Sequence, residues 1–562
     1  MVRALVGVGG VFSIVALWAV TLPPARMENA SSIAVGMDGG TGRSVVEKKA
    51  QALAFVDQQL RSNPTIPGLA FSVVYKHDTV IAQGLGTMKA GNPHTPVTPS
   101  SMFQIGSFSK TFIALGIAKL VDDGVMTWTD PVVQHLPWLK LQDTYAEMYT
   151  TLGDLLSMNS GLGAFDGDEA FAFGLFPTER AVVEHLSQLN STRALRSGYA
   201  YSNMNFEILG QVIEQATNET WPAFLKKTIW DPLGMNQTFA ASADAGDNVA
   251  EMSHGHMSCG SKVIGPFDTV TDSMAMLTPS SSGHLAAGSV VSSANDLATF
   301  TRFLLSDGRA LFKSATLLDD ITTGHTALDN MVVVGNDAAD ALGYSFHPGG
   351  NTIAAGYGID VVGHVMFGYD FFTKNGDTAT FKERNGFVPS QGLGVVLVSN
   401  SNSLAPEGSA ASFLLDRIRS YVLGIFLDVP QADLDAMWNQ AISRSNQIQP
   451  DNVGHCDARY FDGAAWNKDN VAIPRAIQAK VVGSYVAVAS PGFYGHVELM
   501  QRNGKLYLHY GSYNRELFAT ADPAMFIWDV RLAAETIWVQ LADIESPKAT
   551  VSLMGMLFVR DA

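Results

Sequence analysis

The sequence contains few cysteines, few charged residues and no basic stripe. Cys259 and Cys456 are the only cysteines among 562 residues, which excludes a disulfide framework and leaves room for a single bridge. Charged residues make up 16% of the chain and its formal net charge is −17, so we expect no nucleic-acid partner. Sequence repeats are absent as well. The length predicts two domains, or one large domain with an appendage.

The N-terminal part contains an apolar segment, residues 4–22, with no charged residue. Its length lies between the apolar core of a cleaved signal peptide and a membrane-spanning helix. We interpret residues 1–25 as a signal peptide, with an uncleaved signal anchor in the membrane as the alternative. In either case the bulk of the chain is expected to be secreted or extracytoplasmic. Four N-x-S/T sequons fit a secreted glycoprotein: Asn29, Asn190, Asn218 and Asn236.

Hydrophobic periodicity predicts a mixed α and β structure from residue 46 onward. Apolar residues repeat at helical spacing after Ser107 until Asp122-Asp123-Gly124 closes the pattern. A short continuous apolar run, LGVVLVS, is typical of a strand buried in a sheet. The predicted elements are helices near residues 46–60, 107–121, 201–216 and 292–305, a hairpin over 68–86 and a strand over 393–399.

The composition changes between residues 426 and 475, where a polar and interrupted sequence predicts a helical or irregular linker. Beyond it, Asn503-Gly504 separates two alternating runs, which is a strong hairpin signal. Further strand-like runs follow at similar spacing. Residues 476–562 are therefore predicted to form a small antiparallel barrel or sandwich.

The segment IGSFSKTF places Ser107 and Lys110 three residues apart at the start of a predicted helix. Residues at this spacing share one helix face, so the lysine can reach the serine oxygen. A lysine with its ordinary pKa of about 10.4 is protonated and cannot act as a base. Burial and a neighbouring cation must lower that pKa before Lys110 can accept the serine proton. The alternative is that Ser107 only caps a helix and Lys110 is solvated.

Two further segments carry polar residues that suit the same chemistry. Tyr201 and Asn203 stand at a predicted helix start, and Lys374 and Gly376 precede a buried strand. The order S-x-x-K, Y-x-N, K-x-G resembles the class C β-lactamase and D-aminopeptidase branch of the penicillin-recognising serine hydrolases, which includes esterases and penicillin-binding-protein-like members. The resemblance spans residues 46–425 and includes IPGLAFSVV, FQIGSFSKTFIALGIAKLVDDG, LGDLLSMNSGLG, YSNMNFEILG, AAGSVVSSANDLATF and GLGVVLVSN.

The resemblance implies a fold and a set of roles. The fold is α+β, with an antiparallel sheet flanked by helices and a helical subdomain. Ser107 would be the nucleophile and Lys110 its activator, while Tyr201 would assist as base and then as acid toward the leaving group. Backbone N–H groups of Ser107 and Asp377 would form an oxyanion hole. The residues expected to bind substrate are Asn203, Lys374, Gly376 and Asp377.

Two departures from the family pattern concern the substrate. Asn375 replaces the hydroxyl residue usual in K-T-G, and Asp377 places a carboxylate where the family usually carries a small residue. We expect Asp377 to neutralise part of the charge of Lys374, which favours simple esters over lactams. The C-terminal residues 476–562 resemble the lipocalin-like β-domain that is appended to some family members.

Other functions compete with that of a serine hydrolase acting on a small ester or amide. His254, His256 and Cys259 could ligate a metal, but no fourth ligand is near, so we expect no metal or cofactor and an ordinary loop over the pocket. The G-x-S-x-G pentapeptide of α/β-hydrolases is absent. A D-amino-acid peptidase, a β-lactamase or a catalytically silent scaffold remain alternatives. The expected partner is a small-molecule substrate, and the oligomeric state stays open.

Overall fold

The computed structural model describes residues 42–259, 261–270, 284–328, 343, 353–403, 413–447, 473–520, 522, 524–532 and 535–561. The predicted signal segment, the sequon at Asn29 and Cys456 lie outside these ranges. Among the described residues, no helix combines the length and apolarity needed to cross a membrane.

Fourteen strands precede residue 404 in the described part of the chain. They are β1 (Gly68–Tyr75), β2 (Asp78–Gly86), β3 (Met102–Gln104), β4 (Gly255–Cys259), β5 (Lys262–Phe267), β6 (Val291–Ser293), β7 (Thr326–Ala327), β8 (Ala354–Gly356), β9 (Ile359–Met366), β10 (Tyr369–Thr373), β11 (Gly376–Asp377), β12 (Lys382–Val388), β13 (Leu393–Ser399) and β14 (Ser401–Ser403).

Nine of these strands form one antiparallel sheet. Its order is β2-β1-β13-β12-β10-β9-β8-β7, and β11 pairs with the start of β12. The predicted hairpin over 68–86 is β1 and β2, and the apolar run LGVVLVS is β13, buried along its whole length. Residues of β13 belong alternately to the apolar cores on the two sides of the sheet, so both of its faces are covered, which explains why its sequence does not alternate.

The described part of the chain contains sixteen α-helices, several of which cover the two faces of the sheet. They are α1 (Val45–Ser62), α2 (Ser109–Asp122), α3 (Val132–His135), α4 (Thr144–Tyr149), α5 (Leu152–Leu156), α6 (Glu169–Phe173), α7 (Glu179–Glu184), α8 (Asn203–Thr217), α9 (Trp221–Leu225), α10 (Asp231–Leu233), α11 (Ala294–Leu304), α12 (Leu317–Thr322), α13 (Leu414–Phe426), α14 (Gln431–Gln447), α15 (Arg475–Val481) and α16 (Pro491–Tyr494). Helices α1, α13 and α14 pack with residues of β1 and β13 in one apolar core. Helices α2, α8, α9 and α11 form a second core on the opposite face.

The C-terminal strands close into an eight-stranded antiparallel barrel. They are β15 (Gly483–Ala487), β16 (His496–Arg502), β17 (Lys505–Tyr510), β18 (Tyr513–Ala519), β19 (Met525–Leu532), β20 (Glu535–Ala542), β21 (Thr550–Leu553) and β22 (Met556–Arg560). Asn503 and Gly504 connect β16 to β17 with positive φ angles of 52° and 78°, as the tight hairpin requires. The barrel confirms the prediction of a small β-structure at this end.

The barrel contacts the helical part of the larger unit. The ring of Phe173, at the end of α6, lies 5.1 Å from the Tyr510 ring and 5.8 Å from the Trp528 ring, inside the barrel core. The Tyr494 hydroxyl accepts a hydrogen bond from the Gly167 N–H at 3.1 Å. Helix α6 is therefore in contact with the C-terminal unit at both of its ends.

The predicted α+β class is confirmed. The region predicted as a linker, residues 426–475, contains a helix that packs on the larger unit. In the described part of 426–475, α14 packs on α13, and Leu434 is buried in the core of that face. The boundary drawn between the two units stays a prediction.

Candidate active site

Ser107 lies in a single 3-10 turn, Gly106–Phe108, directly before α2, and is 1% exposed. Gly106 has φ of 51°, and a Cβ there would lie 2.6 Å from the Asp377 backbone N. A Cβ on Gly376 would lie 1.8 Å from the Ile105 carbonyl oxygen. Both positions therefore require glycine, because the serine turn and β11 touch backbone to backbone. This contact makes the peptide groups of Ser107 and Asp377 neighbours.

The Lys110 ammonium position is buried and surrounded by three oxygens. Its Nζ lies 3.0 Å from Ser107 Oγ, 2.7 Å from Asn203 Oδ1 and 2.7 Å from the Ala287 carbonyl oxygen. The amide and carbonyl oxygens can only accept hydrogen bonds. A neutral amine with two N–H bonds satisfies both and leaves its lone pair directed at the Ser107 hydroxyl. The geometry suits a base.

The electrostatics of Lys110 agree with this geometry. Burial lowers its pKa well below the usual value, and the positive charge of Lys374 lowers it further. The carboxylates of Asp360, Glu207 and Asp168 act in the opposite direction without reversing the shift. The side chain is therefore biased toward its neutral form.

Tyr201 and Lys374 complete the cluster around the serine. Lys374 Nζ donates to the Tyr201 hydroxyl at 3.1 Å and pairs with Asp360 Oδ1 at 2.7 Å. The ring of Tyr201 lies between the two lysines, with Lys110 Nζ at 5.0 Å and Lys374 Nζ at 4.6 Å from its centroid. Burial raises the pKa of Tyr201 well above 10, and the Asp360 carboxylate adds to the rise. The phenol is thus protonated at neutral pH.

Asn203 is the first residue of α8 and uses both ends of its amide. Its Oδ1 accepts from Lys110, and its Nδ2 donates to Asp168 Oδ2 at 2.7 Å. Asp168 is a residue that the sequence analysis did not single out. Burial and the charge of Glu169 raise its pKa well above the usual value.

Glu207 supports the opposite side of Lys110. Its carboxyl oxygens accept from the Ala286 N–H at 3.2 Å and the Ala287 N–H at 2.9 Å, which fixes the carbonyl that Lys110 contacts. Burial, followed by the charge of Glu179, raises its pKa well above normal. A carboxylic acid within the apolar face of a predicted helix is a signal that could have revealed it.

Burial lowers the pKa of Lys374, and the carboxylates of Asp360, Glu383 and Asp377 oppose that shift, so Asp377 acts on the lysine charge in the expected direction without being its direct partner. Asp377 faces Arg384, whose Nη1 donates to Oδ1 at 2.7 Å and whose Nη2 donates to Oδ2 at 3.1 Å. The direct partner of Lys374 is Asp360, at the start of β9. Asn375, the other departure, donates to Asp416 Oδ1 at 3.2 Å and accepts from the Thr373 hydroxyl at 3.1 Å.

The segment with His254, His256 and Cys259 does not form the expected loop. Residues Gly255–Cys259 are β4, which pairs with β5 and β14. The ring of His256 is buried between the Asn400 carbonyl oxygen, 2.9 Å from Nδ1, and the Ala90 N–H, which donates to Nε2 at 3.0 Å. Among the described residues, no group of three or more His, Cys, Asp or Glu side chains is arranged to hold a metal ion.

The family described as Beta-lactamase matches residues 56–418. Unguisins hydrolase ungD′ of Aspergillus campestris is 30% identical over 220 residues, which are 37% of this chain and 39% of that protein. Penicillin-binding protein 4 of Amycolatopsis lactamdurans is 27% identical over 260 residues, 45% of this chain and 62% of that protein. The matches thus span less than two thirds of these relatives.

Two solved structures share the fold. The octameric penicillin-binding protein homologue from Pyrococcus abyssi has a TM-score of 0.54 at 18% identity, covering 91% of this chain and 99% of that one. D-amino acid amidase from Ochrobactrum anthropi has a TM-score of 0.52 at 21% identity, covering 68% of this chain and 99% of that one. With most of its length matched by the family, the chain belongs to the β-lactamase and penicillin-binding-protein-like serine hydrolases.

Proposed function

We propose that this protein is a serine hydrolase that forms an acyl-enzyme on Ser107 from a small ester or amide. The observation that carries the proposal is the arrangement of Lys110, whose Nζ lies 3.0 Å from Ser107 Oγ while two other oxygens occupy its N–H groups. A catalytically silent scaffold would gain nothing from a buried amine in this position, since burial of an unpaired lysine costs stability.

In acylation, Lys110 accepts the Ser107 proton as Oγ attacks the carbonyl carbon of the substrate. The carbonyl oxygen becomes an oxyanion, for which the neighbouring N–H groups of Ser107 and Asp377 are the proposed donors. Tyr201 is protonated and donates its proton to the leaving group as the bond to that group breaks. The phenol then regains a proton, ultimately from Lys110.

Water completes the cycle by attacking the acyl-enzyme. The same groups act in reverse, so that the water gives up a proton and Ser107 Oγ regains one as the acid is released. Lys374, 3.1 Å from the Tyr201 oxygen, favours the transient tyrosinate by its charge.

Labelling with a fluorophosphonate probe tests this proposal. Intact-protein mass spectrometry should show one adduct on the wild type and none on Ser107→Ala. The matched control is Ser202→Ala, because Ser202 is a second buried serine whose hydroxyl has no hydrogen-bond partner in the described residues. That variant should keep a single adduct. An adduct on Ser107→Ala of the same size as on the wild type would overturn the assignment.

A further inference from the structure

Asp360 lies beside the site and is a residue to which the sequence analysis assigned no role. It is the second residue of β9, and its side chain is 22% exposed while its partner Lys374 is 1% exposed. The Asp360 carboxylate therefore contacts the buried lysine and also reaches solvent. A carboxylate in that position repels any anionic group that would otherwise pair with Lys374.

The position of Asp360 is fixed by the backbone before it. The Thr111 hydroxyl donates to the Gly358 carbonyl oxygen at 2.9 Å, and a Cβ on Gly358 would lie 2.9 Å from the Lys110 carbonyl oxygen. Gly358 has φ of 66°, a conformation that favours glycine. The turn leading to Asp360 is thus packed against α2, the helix that carries Lys110.

Lys374 is fixed as well. Its backbone N–H donates to Asn385 Oδ1 at 3.0 Å, and the hydroxyl of the preceding Thr373 donates to the Asn385 carbonyl oxygen at 2.7 Å. The backbones of both partners are held in place and the Lys374 side chain is buried. The ion pair at 2.7 Å therefore joins two residues that are already positioned.

We propose that Asp360 is a specificity-determining residue that neutralises Lys374 and thereby makes the enzyme discriminate against substrates with a carboxylate on the leaving group. This inference rests on the proposed function. Lys374 contacts the hydroxyl of Tyr201, the group that protonates the leaving group, so the lysine lies on that side of the bond that breaks. A substrate carboxylate that binds there contacts a lysine whose charge is already balanced by Asp360, and it is repelled by the Asp360 carboxylate.

The consequence is a preference for neutral or cationic leaving groups. In Asp360→Asn the amide keeps the size of the side chain but removes its charge, so Lys374 loses its direct carboxylate partner and the carboxylate of a substrate can take that place. A charged hydrogen bond gained by an anionic substrate corresponds to about a 10- to 100-fold increase in kcat/KM.

Three phenyl acetates with matched meta substituents test this inference: the carboxylate, the neutral carboxamide and the trimethylammonium. The measured quantity is the kcat/KM ratio of carboxylate to carboxamide ester, in which changes common to both esters cancel. We expect the ratio to rise about 10- to 100-fold in Asp360→Asn. The control is Asp370→Asn, which removes the same charge from a carboxylate that is 84% exposed on β10, and should leave the ratio within about twofold.

A second variant covers the case in which Asp360→Asn does not fold. Lys374→Gln leaves the Asp360 carboxylate unpaired, so the ratio of trimethylammonium to carboxamide ester should rise about tenfold or more. An unchanged ratio in every active variant would overturn the inference. Fluorophosphonate labelling separates the two proposals: a protein that labels at Ser107 but shows no change in ratio contradicts only the role of Asp360, whereas a protein that does not label contradicts the hydrolase itself.

Discussion

Two clusters of buried charged residues lie next to each other around residues 374–377, and they differ in how their charges are balanced. The site cluster consists of Lys110, Tyr201, Asp360 and Lys374, with one carboxylate for two lysines. The sheet cluster consists of Asp377, Arg384, Asp416 and Arg419, with two carboxylates for two guanidinium groups. Both are removed from water, so burial disfavours charge in each of them.

The balance of charge decides what burial does. In the sheet cluster, burial alone would lower the pKa of Arg384, but Asp377 and Asp416 together raise it above normal. Likewise Arg384 and Arg419 outweigh burial and lower the pKa of Asp416. In the site cluster, burial and the positive charge of Lys374 outweigh the facing carboxylates and hold the pKa of Lys110 well below normal. Arg384 and Asp416 are in direct ion pairs and stay charged, whereas the contacts of Lys110 are with neutral oxygens, which favours the neutral form that can accept a proton.

The largest effect is expected from Lys110→Arg, which replaces the titrating amine of the site cluster with a permanent cation. A guanidinium keeps the charge but cannot accept the Ser107 proton. Because general-base catalysis contributes about 10²- to 10⁴-fold, the acylation rate should fall by about 10³. Stopped-flow measurement of phenol release from an aryl acetate gives this rate. Retention of more than about a tenth of the wild-type rate would contradict the base role, because it corresponds to an increase in activation free energy of less than about 1.4 kcal/mol.

The matched control makes the same substitution on the same helix. Lys119 pairs with Asp123 near the end of α2, with 19% of its side chain exposed. Lys119→Arg can keep that ion pair and has no contact with the serine. Its acylation rate should stay within about twofold of wild type, since surface pairs contribute about 1 kcal/mol or less.

The next effect concerns stability and comes from the sheet cluster. Arg384→Met leaves the buried carboxylates of Asp377 and Asp416 without their shared partner, so the free energy of unfolding should fall by about 3–5 kcal/mol. Urea denaturation measures it. Arg309→Met is the control, because Arg309 pairs with Asp307 at the surface and should contribute less than about 1 kcal/mol.

A double variant sharpens this test. Adding Asp377→Asn to Arg384→Met removes the carboxylate that faces both terminal nitrogens of Arg384, while Asp416 keeps its ion pair with Arg419, so part of the lost stability should be recovered. If the double variant is no more stable than Arg384→Met alone, the loss comes from packing rather than from the unpaired charge of Asp377.

Local patterns in the sequence predicted part of this arrangement. The i to i+3 spacing of Ser107 and Lys110 defines their contact within one helix start, and the apolar run at β13 and the turn at Asn503-Gly504 are likewise short-range signals. Residues from distant segments, such as Tyr201 and Lys374, were brought to the site only through the family resemblance.

The contacts that were missed depend on sheet register and on chain crossings. Asp360 meets Lys374 because β9 and β10 pair with Val361 opposite Thr373, and nothing in the residues near Asp360 indicates that pairing. Arg384 reaches Asp416 from a strand to a helix 32 residues later. Asp377 is close to Lys374 along the chain, but it lies in β11, where its carboxylate pairs with Arg384 of β12, so proximity in sequence did not identify the direct partner of either residue.

A smaller effect is expected at Glu169, an acid buried at the barrel contact beside Tyr494 and Asp166. Burial raises its pKa to about 7 from 4.5. The folded protein thus holds a proton that the unfolded chain has lost, and stability declines as the pH rises from 4.5 to 7 and stays lower above it. Glu169→Gln removes this penalty, so the variant should be more stable at pH 8 by about 2–3 kcal/mol and near wild type at pH 5.

Thermal unfolding at the two pH values tests this prediction. Glu184→Gln is the matched control, because Glu184 is a surface residue paired with Arg180 whose side chain is 45% exposed. Its effect should stay below about 1 kcal/mol at either pH. Equal stabilisation by Glu169→Gln at pH 5 and pH 8 would show that the gain is unrelated to the proton.

The smallest effect is a shift of the pH profile in Asp360→Asn, measured as kcat/KM for a neutral ester. Activity should rise with pH as Lys110 loses its proton, at a pH well below the usual lysine pKa, and fall when Tyr201 ionises above its usual pKa. Because the Asp360 carboxylate raises both pKa values, its removal should move both limbs toward acid and leave the maximum nearly unchanged. The other groups that face Lys110 are Lys374, Glu207 and Asp168, and none of them is altered. Movement of either limb toward alkali would mean that Asp360 does not act on the site through its charge, and the difference between the two clusters would need another cause.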